Sequence, residues 1–254
     1  MLNYSHLREF LDPLVYKFNR PEFIEKDPVQ IPHLFSKKED IEISAFLTSI
    51  LSWGQRPVII SKARLLMQLM DNEPYNFIKY SGHHELQQFN HFVHRTFQSN
   101  DCIYFIHTLK ELYSRSNSLE NIFYQGYQKQ KNIADAIVQF REVFYSFSPP
   151  DHVLKHLPNI QKNASAKRMN MFLRWMIRKD NCGVDFGIWD SILPCSLMIP
   201  LDIHSSNSAR KLGLLSRKSI DWKAVEEVTA HLRKLDPVDP VKYDFALFSY
   251  DSTL

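Results

Sequence analysis

Glycine occurs only six times in 254 residues, and that scarcity constrains the fold more than any other feature of the chain. Average usage near 7% would supply roughly 18. Phosphate-cradling loops, dinucleotide-binding turns and runs of tight hairpins place glycine at backbone angles that other residues resist. Such folds are excluded in practice, and an all-α chain is expected. At 44% hydrophobic the chain is too apolar for disorder and can bury a substantial core as one large domain or two small lobes.

Helical periodicity supports that class. Ser36-Lys37-Lys38-Glu39 has the form of a capping box, followed by Ile43, Phe46, Leu47, Ile50 and Leu51 on one face. Gly54 should end that helix, and Pro57 should sit in the first turn of the next, which runs to about Met70. Further helices are expected over residues 101–115, 118–127, 132–147, 165–179, 203–212, 222–235 and 240–250. Asp202 and Asp221 stand where N-caps belong, and Gly213 where a C-cap belongs. No alternating strand and no repeat of fixed period is visible. Pro149-Pro150 marks a soft internal boundary, near 148–151, in a single two-lobed domain.

The three cysteines, Cys102, Cys182 and Cys195, form no CxxC pair and cannot supply the four thiolates of an iron–sulfur cluster. No cofactor is expected. The N-terminus lacks the basic-then-apolar order of a secretory signal, and the longest apolar stretch, 43–51, is too short to span a bilayer. A cytoplasmic protein without membrane contact is the expectation. Net charge is +3, but its placement is uneven: the first 150 residues balance 16 basic against 16 acidic side chains, and the remainder holds 15 against 12. Lys155, Lys162, Lys167, Arg168, Arg174, Arg178 and Lys179 form a run without an acid, and Arg210, Lys211, Arg217 and Lys218 a second group. A polyanion meeting both would bind in a salt-dependent way, whereas a solvated face paired with acids elsewhere has the same composition.

Two stretches carry candidate chemistry. Lys167 opens a helix beside Arg168, and a lysine amine at the positive end of a helix dipole, next to a second cation, is a candidate nucleophile and Schiff-base former. Asp202, introduced by Pro200 and placed as an N-cap, would be held as a rigid carboxylate. The bland alternatives are a solvated lysine and a cap that is only a cap. Asp185, Asp190, Asp202 and His204 have side chains that suit Mg or Mn, but the chain lacks HExxH and any close His cluster, so no metal site is assigned.

Pro200-Leu201-Asp202-Ile203-His204, continuing through Arg210 to Leu212-Gly213-Leu214, resembles the signature of the helix-hairpin-helix DNA glycosylases, which include endonuclease III and the archaeal 8-oxoguanine glycosylases. Leu51-Ser52-Trp53-Gly54-Gln55, the helix from Lys167 to Arg174, and Asp239-Pro240-Val241-Lys242-Tyr243-Asp244-Phe245 are similar to other parts of that superfamily. Within it the chain most resembles an uncharacterised bacterial family labelled domain of unknown function 2400. The resemblance implies a two-lobed all-α fold with its site in the cleft between lobes, damaged duplex DNA as partner, and base excision with abasic-site lyase activity. It implies Lys167 and Asp202 as catalytic residues. Gln55 and Asp244 would hydrogen-bond the flipped base, Trp53 and Phe248 would wall its pocket, and Lys162, Arg168, Arg210 and Lys211 would bind nucleic acid.

One departure matters. The family's hairpin carries glycines where this chain reads Leu157-Pro158-Asn159-Ile160-Gln161. Asparagine tolerates a left-handed backbone and glutamine does not, so either the hairpin is remodelled or phosphate is gripped otherwise. Lys162 is then a rival to Lys167 as nucleophile. Two further classes stay open: a non-catalytic nucleic-acid binder of the same fold, and a metal-dependent hydrolase.

Overall fold

A computed structural model of the protein describes residues 2–252. Twelve α-helices account for its regular structure together with short 3-10 turns, and no strand is present among the described residues. They are α1 (Tyr4–Phe18), α2 (Lys38–Leu51), α3 (Arg56–Gln68), α4 (Pro74–Tyr80), α5 (His83–Leu86) and α6 (Ser99–Arg115). The second half holds α7 (Glu120–Gln130), α8 (Ile133–Phe144), α9 (Lys167–Ile177), α10 (Ile203–Lys211), α11 (Trp222–Leu235) and α12 (Tyr243–Ser252). The all-α expectation is met. None of these helices is long and apolar enough to cross a membrane.

Two compact units emerge. The first comprises Met1–Glu25, Gln130–Ala134 and Pro158–Leu254, and the second Lys26–Lys129 and Asp135–Leu157. Pro149-Pro150 lies inside the second unit. That unit is built on α2, which is buried at every position from Ile41 to Leu51. Its serines survive burial because their hydroxyls donate back into the helix: Ser44 to the Ile41 carbonyl, Ser49 to that of Phe46, and Ser52 to that of Thr48. Phe46 packs on Phe105 of α6 and on Phe140 and Phe144 of α8, and Phe123 of α7 stacks on Phe140 at 4.2 Å. Gly126 lets α7 approach α8, since a Cβ there would stand 2.5 Å from the Asp135 carbonyl oxygen.

The first unit is organised on α9, buried from Met169 to Ile177. In it α12 packs against α1 and α10, and α11 against α1.

Local expectations are corrected in three places. Ser36 does not cap α2; Lys37 occupies the N-cap without a side-chain bond. The acids Glu39 and Asp40 in the first turn complement the dipole instead. Helices α1, α4 and α5 lie outside the expected set; α1 carries Pro13 within it, and α4 and α5 span only Pro74–Tyr80 and His83–Leu86. The closing helix is divided, with a 3-10 turn over Pro240–Lys242 ahead of α12.

Candidate active site

Asp202 caps α10 as its position in the sequence suggests. Its Oδ1 accepts from the Ser205 backbone N–H at 3.0 Å and from the Ser205 hydroxyl at 3.1 Å, while Ser205 Oγ accepts from the Asp202 N–H at 2.9 Å. This reciprocal box occupies one carboxylate oxygen and locks the rotamer. The other oxygen, Oδ2, faces Lys167 Nζ at 3.8 Å, with the two side chains 23% and 32% exposed. Lys167 is the first residue of α9, and the chain enters that helix through Ala166 in the left-handed region (φ 53°, ψ 28°). A non-glycine residue there costs about 1–2 kcal/mol, which the surrounding packing must offset. The first turns of α9 and α10 thus converge on the pair, and both positive dipole ends favour an anion nearby.

Asp244, at the start of α12, is buried, and Arg174 of α9 bonds directly to it. Burial pushes its carboxyl up to about 7; Arg174 and Lys167 pull downward, and the charges of Asp202 and Asp185 push further up. Arg174 also donates to Asp185 at 3.2 Å, and Arg178, one turn later, pairs with Asp185, Asp180 and Asp239 at 3.0, 2.6 and 2.9 Å. Both guanidinium planes lie over Phe245. Two buried cations therefore stand among four carboxylates, and burial more than charge balance is what raises the Asp244 carboxyl. Phe248 follows on α12 with its ring 5.9 Å from that of His204.

The basic run is only partly a surface. Arg174 and Arg178 are interior ion-pair residues, 4% and 2% exposed, and so belong neither to a polyanion-binding face nor to a solvated one. Their spacing of four in an otherwise apolar helix is the signal that could have shown this. Arg210 is likewise occupied: it donates to the Arg217 and Lys218 carbonyls and to Ser206 Oγ. Arg217 is held by Asp221 at 2.7 Å. Lys162 and Lys211 are exposed and Arg168 half-exposed.

The glycine-type hairpin is absent. Asn159 is extended (φ −107°) and caps a single 3-10 turn, Ile160–Lys162, while the left-handed residue is Asn163. Asn163 is pinned by Asp221, its amide donating to the carboxylate at 3.0 Å. The remodelling follows from side-chain chemistry, because asparagine takes the left-handed position that glutamine avoids.

Gln55 and Trp53 belong to the second unit. Gln55 is exposed at the N-cap of α3, and Trp53 is partly exposed under the guanidinium of Arg95, 4.4 Å from the ring centre. For the metal alternative, Asp185 is taken by Arg174 and Arg178, Asp190 by Lys179 and Asp202 by Lys167. Among the described residues no three His, Cys, Asp or Glu side chains are placed to hold a metal ion.

No curated protein and no solved structure gave a significant match to the chain. One family profile does match, over residues 27–253, and the chain therefore belongs to the family described as Protein of unknown function (DUF2400).

Proposed function

We propose that the protein is a DNA base-excision glycosylase with Schiff-base lyase chemistry, of the helix-hairpin-helix type, acting on a damaged base such as an oxidised purine. The observation that carries this reading is the Lys167–Asp202 pair, a partly exposed amine 3.8 Å from a rigid carboxylate at two convergent helix N-termini. Asp202 Oδ2 takes the proton that makes the amine a nucleophile. Nζ then bonds to C1′ of the target nucleotide as the C1′–N bond breaks, and the departing base carries off the electron pair and takes up the proton held by Asp202. A proton passes from Nζ to the ring oxygen as the C1′–O bond opens, which leaves a protonated imine, and loss of a C2′ proton to Asp202 with departure of the 3′ phosphate breaks the C3′–O bond and nicks the strand. Asp202, ionised again in the later steps, stabilises positive charge on the sugar. Asp244 hydrogen-bonds the extruded base, and Phe248 supplies an apolar wall beside it. Lys162, Arg168 and Lys211 contact phosphate, with Arg210 shaping the loop beside them.

The remodelled turn at 160–162 favours one competitor, a protein that binds nucleic acid without turning it over. Borohydride trapping on duplexes bearing 8-oxoguanine, uracil, thymine glycol or an abasic site separates the two. A covalent adduct lost in Lys167→Gln and Asp202→Asn but kept in Lys162→Gln is expected. Loss in Lys162→Gln alone would move the nucleophile, and salt-sensitive binding without any adduct would establish the non-catalytic reading.

A further inference from the structure

The second unit carries a cationic and aromatic surface that the charge distribution along the sequence did not reveal. The turn after α2 passes through Gly54 at φ +111°, and a Cβ there would stand 2.8 Å from Arg95 Nη1. The backbone angle requires glycine at this point, and its lack of a Cβ leaves room for the Arg95 guanidinium over the Trp53 indole. Arg95 itself is held in the left-handed region at φ 57°, an outlier of the sort that collects at functional sites. Among the described residues the guanidinium has no hydrogen-bond or ion-pair acceptor, and its contact is the ring face. Lys62, on α3, is in the same position: its amine stands 6.0 Å from the Phe92 ring and forms no ion pair.

Two polar side chains, Trp53 and His94, meet edge to face next to Arg95. Trp53 Nε1 and His94 Nε2 are buried without a hydrogen-bond partner, although buried polar groups are nearly always satisfied. Burial lowers the His94 pKa, backbone carbonyls oppose that shift, and the neighbouring charges that add to it, Arg95 and Lys62, are both cations. Val93, beside His94, is an exposed apolar side chain. An aromatic face, two cations without acceptors among the described residues and an apolar rim together offer groups suited to a base and its phosphate.

We infer that this surface docks an unpaired nucleotide of a nucleic-acid strand, its base stacked on Trp53 and its phosphate held by Arg95 and Lys62. Arg95 is a displaceable cover. Its guanidinium leaves the indole for the phosphate, which supplies the acceptors it lacks, and the base takes its place on the ring. The inference shares a nucleic-acid partner with the proposed glycosylase reading, assigns Arg95 and Lys62 to it, and does not require Lys167 chemistry.

Tryptophan fluorescence reads this directly, because Trp175, Trp189 and Trp222 are buried and Trp53 is partly exposed. The full chain is titrated with a thymidine dodecamer and with an abasic oligomer of equal length, and affinity is followed in parallel by anisotropy of a labelled strand. The dodecamer should quench emission, the abasic oligomer should not, and Trp53→Phe should abolish the quench. Arg95→Gly should weaken binding about 10-fold. Since glycine suits the left-handed backbone, that variant should melt no lower than wild type, which separates a binding role from a structural one. Unchanged affinity in Arg95→Gly, or quenching that persists in Trp53→Phe, would overturn the inference. Lys167→Gln should quench as wild type does. Quenching without any borohydride adduct would therefore sink the glycosylase reading and leave this one standing, and a borohydride adduct from a protein whose emission the dodecamer fails to quench would do the reverse.

Discussion

Asp244 offers a test of the site's electrostatics that needs no substrate. Its carboxyl is pushed up to about 7 from an ordinary 3.8, with burial as the leading cause. Between about pH 4 and pH 7 the native state therefore holds a proton that the unfolded chain has lost, so this group's contribution to stability falls as pH rises through that window. A shift of about 3 units corresponds to about 4 kcal/mol in full. The unfolded aspartate is already mostly ionised at pH 5, which leaves about 2.5 kcal/mol of the loss between pH 5 and pH 8. Asp244→Asn keeps an acceptor oxygen for Arg174 and removes the titration. Urea unfolding followed by circular dichroism at pH 5, 6, 7 and 8, at fixed salt, gives the difference in unfolding free energy, variant minus wild type. That difference should climb by about 2–3 kcal/mol across the range. His94 and His231, whose pKa values are lowered by burial, titrate with the opposite sign in the same window but are common to both proteins and cancel. A flat or falling difference would mean that Arg174 holds Asp244 ionised throughout and that burial does not dominate at this carboxyl.

Other perturbations follow from the packing and the caps. Gly126→Ala should destabilise the protein in a thermal melt, because a Cβ 2.5 Å from the Asp135 oxygen and from Gln139 Cβ costs more, at about 1–3 kcal/mol, than the ~1 kcal/mol of helix propensity it adds. Glu42 is wholly buried and accepts from Tyr113 Oη at 2.8 Å and the Leu119 N–H at 3.0 Å. Glu42→Ala should cost about 3–5 kcal/mol by strand-free denaturant unfolding, and Glu42→Gln less. Ser205→Ala removes half of the box that orients Asp202, so the trapping yield should drop while stability falls by only about 1 kcal/mol. Arg210→Ala should lower the melting temperature and leave the salt dependence of DNA binding unchanged, whereas Lys211→Ala should leave melting unchanged and reduce the salt slope by about 1.

Much of the site was legible because its parts are local. Asp202 and Asp221 do cap α10 and α11, accepting from Ser205 and Ala224, and an N-cap is decided by a carboxylate three residues from an unpaired N–H. The position of Lys167 at the head of α9 was readable for the same reason. Arg174 and Arg178 were not, because their charge reads as surface until Asp239 and Asp244 arrive from a distant segment and Asp185 folds back from the loop after α9 to bury them. Arg95 escaped notice altogether: nothing in its own neighbourhood of the sequence shows that it lies on Trp53.

Sequence alone determined the helical class, since a chain with six glycines has few positions for the left-handed turns that other folds demand. It also determined most helix ends and which residues could carry chemistry. Tertiary structure decided which of those residues meet. The 3.8 Å approach of Lys167 to Asp202, the sorting of cations into buried pairs and exposed ones, and the raised pKa of Asp244 all depend on packing between different segments of the chain. Capping and periodicity are energies within one helix and repeat wherever the local pattern does. Desolvation and ion pairing depend on what lies across the interface, and no local pattern contains that.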